Sequence, residues 1–302
     1  MLSALLIAGG VMAVLGVGLS TVIAVANKTL YVYEDPRIDD VEALLPGANC
    51  GACGYPGCRA LAERLVEGEA HPSACPACSS GNVLAVAALL GIEAGVREKR
   101  VARLACAGGQ DVAPRTALYA GIETCRAANL VAGGGKECPW GCLGYGDCMS
   151  ACPFDAIVMN EQLLPVVAED ACTACGNCVD ACPRDLFSIH PVDHRLWVAC
   201  KNKAAGKVAR AQCAVACIGC GLCKKDAPEG LVAIFDNLAT VDYDKNDLAA
   251  IDAIQRCPTG AIVWYDPEQG MLVGDKAKSA GLKAPAGSGS EPVPAEQTQA
   301  AG

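Results

Sequence analysis

Hydrophobic and polar positions divide the chain into segments with different periods. From Leu2 to Ala26 no charged residue occurs. A helix of that length rises about 37 Å, enough to cross a hydrocarbon core of roughly 30 Å. A cleaved signal peptide needs a basic start and a shorter apolar core, whereas the first cation here is Lys28. Residues 1–27 are therefore expected to be a retained transmembrane anchor. Gly9, Gly10, Gly16 and Gly18 would let a partner helix come close. The acidic stretch Glu34 to Glu42, within 28–47, reads as a solvated linker. A short helix is expected over Arg59 to Glu67. A longer Ala- and Leu-rich helix is expected over 83–104, broken near Gly91 and Gly95.

Further along, the apolar runs shorten to the two-residue period of strands. They fall at 156–159, 164–167, 186–189, 232–235 and 261–264. Each ferredoxin half is expected to be a β-hairpin plus a helix, the helices lying between the third and fourth cysteine of each run and just after. The fold class expected is α+β: one transmembrane helix, a small loop domain (48–104), and two ferredoxin-like hairpin-and-helix modules (105–196 and 197–268). From 269 onward a disordered tail is expected, most firmly over 275–302, where Ala, Gly, Pro, Ser and Glu dominate.

Composition narrows the chemistry. Aromatic residues make up 4% of the chain, few for a large packed core, and 21 of 302 residues are cysteine. Such domains are held together by bound metal rather than by apolar bulk. A net charge of −9 argues against nucleic acid as a partner. The three histidines, His71, His190 and His194, form no metal-like pair in sequence and read as surface or loop residues. Gly133-Gly134-Gly135-Lys136 lacks the Ser or Thr that completes a phosphate-binding loop, so it reads as a turn.

The cysteines themselves follow iron–sulfur spacings. Cys172-x2-Cys175-x2-Cys178-x3-Cys182-Pro183 is the bacterial ferredoxin run, whose fourth thiolate reaches across to the other cluster. Zinc favours paired C-x2-C without a Cys-Pro end. Cys138-x3-Cys142-x5-Cys148-x3-Cys152 precedes it. Crossing assigns Cys172, Cys175, Cys178 and Cys152 to one [4Fe–4S] cluster, and Cys138, Cys142, Cys148 and Cys182 to a second. A third set, Cys50, Cys53, Cys58 and Cys75, lies in a glycine-bent loop. There Cys78 competes with Cys75, and a structural zinc is the rival occupant.

An internal repeat sets Cys125-x12-Cys138-x3-Cys142 against Cys200-x12-Cys213-x3-Cys217. Tyr145 stands where the second copy has Cys220. In that copy Ala227, Asp247, Ala250 and Ala253 occupy ligand positions, so one cluster of the pair is lost. The surviving set is Cys217, Cys220, Cys223 and Cys257. At least four clusters result. Cys106, Cys125, Cys200 and Cys213 either hold a fifth or are buried thiols.

The anchor, the loop Cys50-Gly-Ala-Cys53-Gly-Tyr-Pro-Gly-Cys58 with Cys75, and Gly141-Cys142-Leu-Gly-Tyr-Gly-Asp-Cys148 with its ferredoxin runs resemble the B subunit of Rnf complexes. Those are ion-translocating ferredoxin:NAD oxidoreductases of bacterial and some archaeal membranes. The resemblance covers about residues 1–265 and follows the long form of that protein. It implies a cytoplasm-facing, single-pass subunit that takes electrons from reduced ferredoxin and hands them to membrane and flavin-bearing subunits. Asp247, Ala250 and Ala253 depart from the longer members, which keep those cysteines. A stand-alone polyferredoxin is the rival reading. No catalytic constellation, dinucleotide fingerprint or flavin motif occurs, so no catalytic residue is assigned. Lys201, Lys203, Lys207, Arg210, Lys224 and Lys225 form an acid-free stretch between 201 and 225. They are either a dock for acidic ferredoxin or an ordinary solvated loop.

Overall fold

A computed structural model describes residues 2–30, 34–95 and 98–282. The expected tail from 283 onward lies outside them. Helix α1 (Leu2–Leu30) is apolar, and its stretch Gly9–Leu30, which buries nothing against the folded body, is long and apolar enough to cross a membrane. Thr21 and Thr29 turn their hydroxyls back onto the carbonyls of Val17 and Val25, at 2.7 and 2.8 Å, and so expose no unmet polar group.

The expected linker is instead a helix, α2 (Arg37–Leu44). Its acids are not simply solvated: Arg59 bonds Glu34, Asp39 and Glu42, while Val41 on the opposite face is fully buried. Helix α3 (Cys58–Val66) packs on it through Leu61, Ala62 and Leu65. Ser79 caps α4 (Ser80–Leu90) by accepting from the Asn82 amide, and Gly91 ends it in the left-handed region. The helix expected to run on to 104 stops there. Residues Arg100–Leu104 form strand β1, buried over Val101, Ala102 and Arg103.

The first module follows with α5 (Cys125–Leu130), α6 (Asp147–Ser150), and the antiparallel hairpin β2 (Ile157–Met159) and β3 (Pro165–Val167). Then come α7 (Asn177–Ala181), β4 (Phe187–Pro191) and β5 (Leu196–Val198). In a simple ferredoxin half, β4 and β5 would pair with each other. Here β4 pairs with β1, while β5 pairs with a strand of the second module. The two modules are thereby stitched into one body. Trp197 Nε1 donates to the Leu104 carbonyl at 2.9 Å across the seam. Buried Arg103 bonds Glu169 of the first module and lies 3.8 Å over the Tyr265 ring of the second.

The second module comprises α8 (Gly206–Gln212), α9 (Leu222–Asp226), the hairpin β6 (Val232–Phe235) and β7 (Leu238–Val241), and α10 (Asp252–Gln255). It closes with the hairpin β8 (Ile262–Asp266) and β9 (Gly270–Val273), then α11 (Asp275–Ser279). Order thus persists past 269, contrary to the expected tail boundary. Met271, Val273 and Ala277 are buried in the core around Trp197 and Val263. All five expected strand segments form, and β1, β5, β7 and β9 are additional.

Candidate metal centres

Cysteines enter these elements at one recurring place. The third cysteine of each ferredoxin run, Cys148, Cys178 or Cys223, lies in the first turn of a short helix after a left-handed glycine: Gly146, Gly176 or Gly221. These three sulfurs are buried, as expected for ligands held under a hairpin.

Cys58 and Cys75 are buried, and Cys53 is a charged neighbour of Cys75. The Asn49 side chain accepts from the Cys58 amide at 2.8 Å and anchors the loop at the start of α3. Burial pushes the Cys75 thiol up to about 11. Cys78 lies on the α2 side, with its sulfur 3.9 Å from the Leu44 carbonyl. Cys172, Cys175, Cys178 and Cys152 also come together: burial raises Cys178 to about 12, followed by Cys172, Cys175 and Cys152 as charged neighbours. Cys217, Cys220, Cys223 and Cys257 line one small cavity closed by Ile234, Ala239 and Ile262. There the Ala239 amide points at Cys217 Sγ, at 3.4 Å.

The expected set Cys138, Cys142, Cys148 and Cys182 is divided. Burial raises Cys148 to about 12, and its next neighbours are Cys125, Cys182 and Cys178. Cys138 instead lines a second enclosed cavity with Cys106, Cys200 and Cys213. The spare group Cys106, Cys125, Cys200 and Cys213 is divided too, because Cys125 lies with Cys148 and Cys182. The signal was present in the repeat. With Tyr145 in the place of a ligand, the first copy has room for a thiol from elsewhere, and Cys125 packs in one buried cluster with Leu143 and Tyr145.

Two cations sit among these sulfurs. Lys136 Nζ donates to the carbonyls of Gly108 and Cys142, both at 2.6 Å. Arg184 donates to the carbonyls of Cys138, Gly141 and Gly133 at 3.0, 2.6 and 2.9 Å. The glycine turn before Lys136 therefore delivers a positive charge to the cysteines, a role its sequence did not announce. The histidine reading holds for His71, an exposed loop residue, but it missed the pairing of the other two. His190 and His194 lie ring to ring, Nδ1 to Nδ1 at 3.2 Å, packed on Trp197 and Tyr243. Burial, then the neighbouring His194, lowers His190 to about 4.

Among the described residues no three His, Cys, Asp or Glu side chains converge on a single-ion site. A tetrahedral zinc draws its sulfurs to about 2.3 Å from one centre. A cubane takes one thiolate at each of four separate irons, which suits cysteines spread around a cavity and met by backbone N–H groups. The Ala102, Leu186, Cys142 and Cys217 amides supply such groups to Cys172, Cys182, Cys106 and Cys200, at 3.3–3.5 Å.

Fold and ligand geometry together define an iron–sulfur electron-transfer protein built on ferredoxin-like modules. Family models agree: one for an Fe-S cluster matches residues 45–77, and two for a 4Fe-4S dicluster domain match 137–187 and 171–232. The first range includes Cys75 and stops short of Cys78. The chain is 42% identical to the B subunit of the Na⁺-translocating ferredoxin:NAD⁺ oxidoreductase complex of Acetobacterium woodii, over 87% of this chain and 78% of that one. It is 38% identical to the B subunit of the ion-translocating oxidoreductase complex of Methanosarcina acetivorans, over 83% and 95%. It is 40% identical to the B subunit of the proton-translocating ferredoxin:NAD⁺ oxidoreductase complex of Clostridium ljungdahlii, over 83% and 89%. The chain belongs to the family of B subunits of ion-translocating ferredoxin:NAD⁺ oxidoreductase complexes.

Proposed function

We infer that this chain is the membrane-anchored component that receives electrons from reduced ferredoxin and delivers them to the membrane and flavin-bearing subunits of its complex. When bound, a [4Fe–4S] cluster takes up and gives up one electron at a time, at a potential set by charge, hydrogen bonds to sulfur and exposure. The chain's own residues hold the clusters, shield them and fix their order.

The observation that carries this reading is the adjacency of the cysteine sets. Cys217 donates its amide to Cys200, and Cys142 donates its amide to Cys106. Cys148 neighbours Cys178, and Cys175 neighbours Cys50. These contacts support an order of the sets from the second module, through the first, to the loop domain that follows α1 in sequence. Cys220 is the exposed cysteine of the chain and lies at the far end of this row. The anchor α1 carries Lys28 in its last turn, which favours a cytoplasmic position for the folded body.

Ferredoxin docking belongs beside Cys220. Of the six expected basic residues, Lys201 donates to the Asp185 carbonyl and Lys203 pairs with Asp236 at 3.5 Å. Lys207, Arg210, Lys224 and Lys225 are exposed and in no ion pair among the described residues. Lys224 and Lys225 follow Cys223 directly on α9. An acidic partner would be steered there, at a rate that falls with salt. Replacing both by Glu in the intact complex should slow ferredoxin oxidation at low salt about tenfold or more and flatten its salt dependence. A low-salt rate equal to that of the unaltered complex would place the encounter elsewhere.

A further inference from the structure

The cavity between the two modules has no counterpart in a simple ferredoxin. Four cysteines from three parts of the chain line it: Cys106 after β1, Cys138 from the first module, and Cys200 and Cys213 on either side of α8. Small residues, among them Ala107, Gly108, Ala113, Ala199 and Ala216, make up much of the remaining wall, with Lys136, Trp140, Lys201 and Asn202 as its large members. Small side chains here leave room, whereas a packed core would fill the space with branched apolar ones. A Cβ on Gly108 would lie 2.8 Å from Cys213 Sγ, so the absence of a side chain at that position is part of the cavity.

A buried polar residue serves the same sulfurs. Asn202 is 1% exposed, and its backbone amide faces Cys200 Sγ at 3.4 Å, while its side-chain amide faces Cys138 Sγ at 3.5 Å. That side chain is held in place by Gln212 Oε1, and its own oxygen accepts from the Ala204 amide, both at 2.8 Å. One residue thus points donors at two sulfurs from different modules. A site of four thiols expecting no charge would gain little from Asn202, Lys136 and several aimed N–H groups. A site holding an anionic cluster would need them.

We propose that Cys106, Cys138, Cys200 and Cys213 hold a fifth [4Fe–4S] cluster at the junction of the modules, and that Cys125 takes the place of Cys138 beside Cys142, Cys148 and Cys182. The proposal rests on the iron–sulfur reading of the chain. The sets then use every cysteine but Cys78. The junction set lies between Cys217 and Cys142, whose amides face Cys200 and Cys106. It thereby closes the gap between the degenerate second module and the first.

The test is iron and acid-labile sulfide on the full chain, purified without oxygen, and on four variants. About twenty irons per chain are expected, five cubanes' worth. Cys200→Ala with Cys213→Ala should lose about four. Adding Cys138→Ala to that pair should lose no more, whereas adding Cys125→Ala should lose a further one to four. Gly108→Val removes no cysteine but crowds Cys213 and should also lose about four, with far-ultraviolet circular dichroism reporting that the fold remains. About sixteen irons in the unaltered chain, or further loss on adding Cys138→Ala, would overturn the proposal. A chain with no iron would instead defeat the underlying iron–sulfur reading.

Discussion

At the scale of single residues, the centres depend on side chains that are not ligands. Lys136 is anchored by two carbonyls and is a charged neighbour of Cys138, Cys142 and Cys213. Reduction adds negative charge, so a fixed cation nearby stabilises the reduced form and raises the potential. Lys136→Met should lower the midpoint of the nearest cluster by on the order of 50–100 mV, read by potentiometric titration with electron paramagnetic resonance. An unchanged midpoint would mean solvent already screens this charge. Spacing makes most of the proposed ligand sets legible, because a ferredoxin run prescribes which thiolate crosses over. It does not reach Cys138, since C-x3-C reads as one local site, whereas the cavity that Cys138 lines also holds Cys106, Cys200 and Cys213 through tertiary contacts that spacing does not encode. Asn202 and Lys136 gave no signal, since a lone amide and a lysine after glycines are ordinary in any loop.

At the scale of elements, β4 and β5 decide the architecture by parting company. The alternating pattern marked the first of them, but pattern alone cannot name a strand's partner. Val101 and Ala102 are buried by pairing with β4, and this tertiary burial overrode the helical reading of 100–104. For α2, charge density suggested a linker, yet Val41 and the ion pairs of Arg59 settle a helix there. The bond from Trp197 to the Leu104 carbonyl joins the two sheets within a buried environment. Trp197→Phe leaves that carbonyl unmet and should cost about 1–3 kcal/mol. The expected readout is an earlier midpoint for denaturant-driven loss of cluster absorbance, and an unshifted midpoint would mean water replaces the indole.

At the scale of the whole molecule, the proposed order makes the loop domain the last stop before the anchor. Cys50 neighbours Cys175 on one side, and α2 leads back toward α1 on the other. Cys53→Ala with Cys58→Ala in the assembled complex should therefore abolish ferredoxin-linked NAD⁺ reduction. Ferredoxin oxidation by a soluble dye should persist near its normal rate, because the α9 end is untouched. Loss of both activities would place the exit elsewhere in the row.

The junction quartet also sets a timetable for making the protein. The loop set is complete once residue 75 has left the ribosome, and the first module's sets once residues 178 and 182 have followed. The junction set must wait for Cys213, and the second module's set for Cys257. Cofactor loading can then keep pace with synthesis from the membrane outward. Filling the junction as proposed would pin residues 106 and 213 together and close the longest loop that any of the cysteine sets spans, which stabilises the assembled chain as any long cross-link does. Cells short of iron would accumulate chains finished at the membrane end and open at the ferredoxin end.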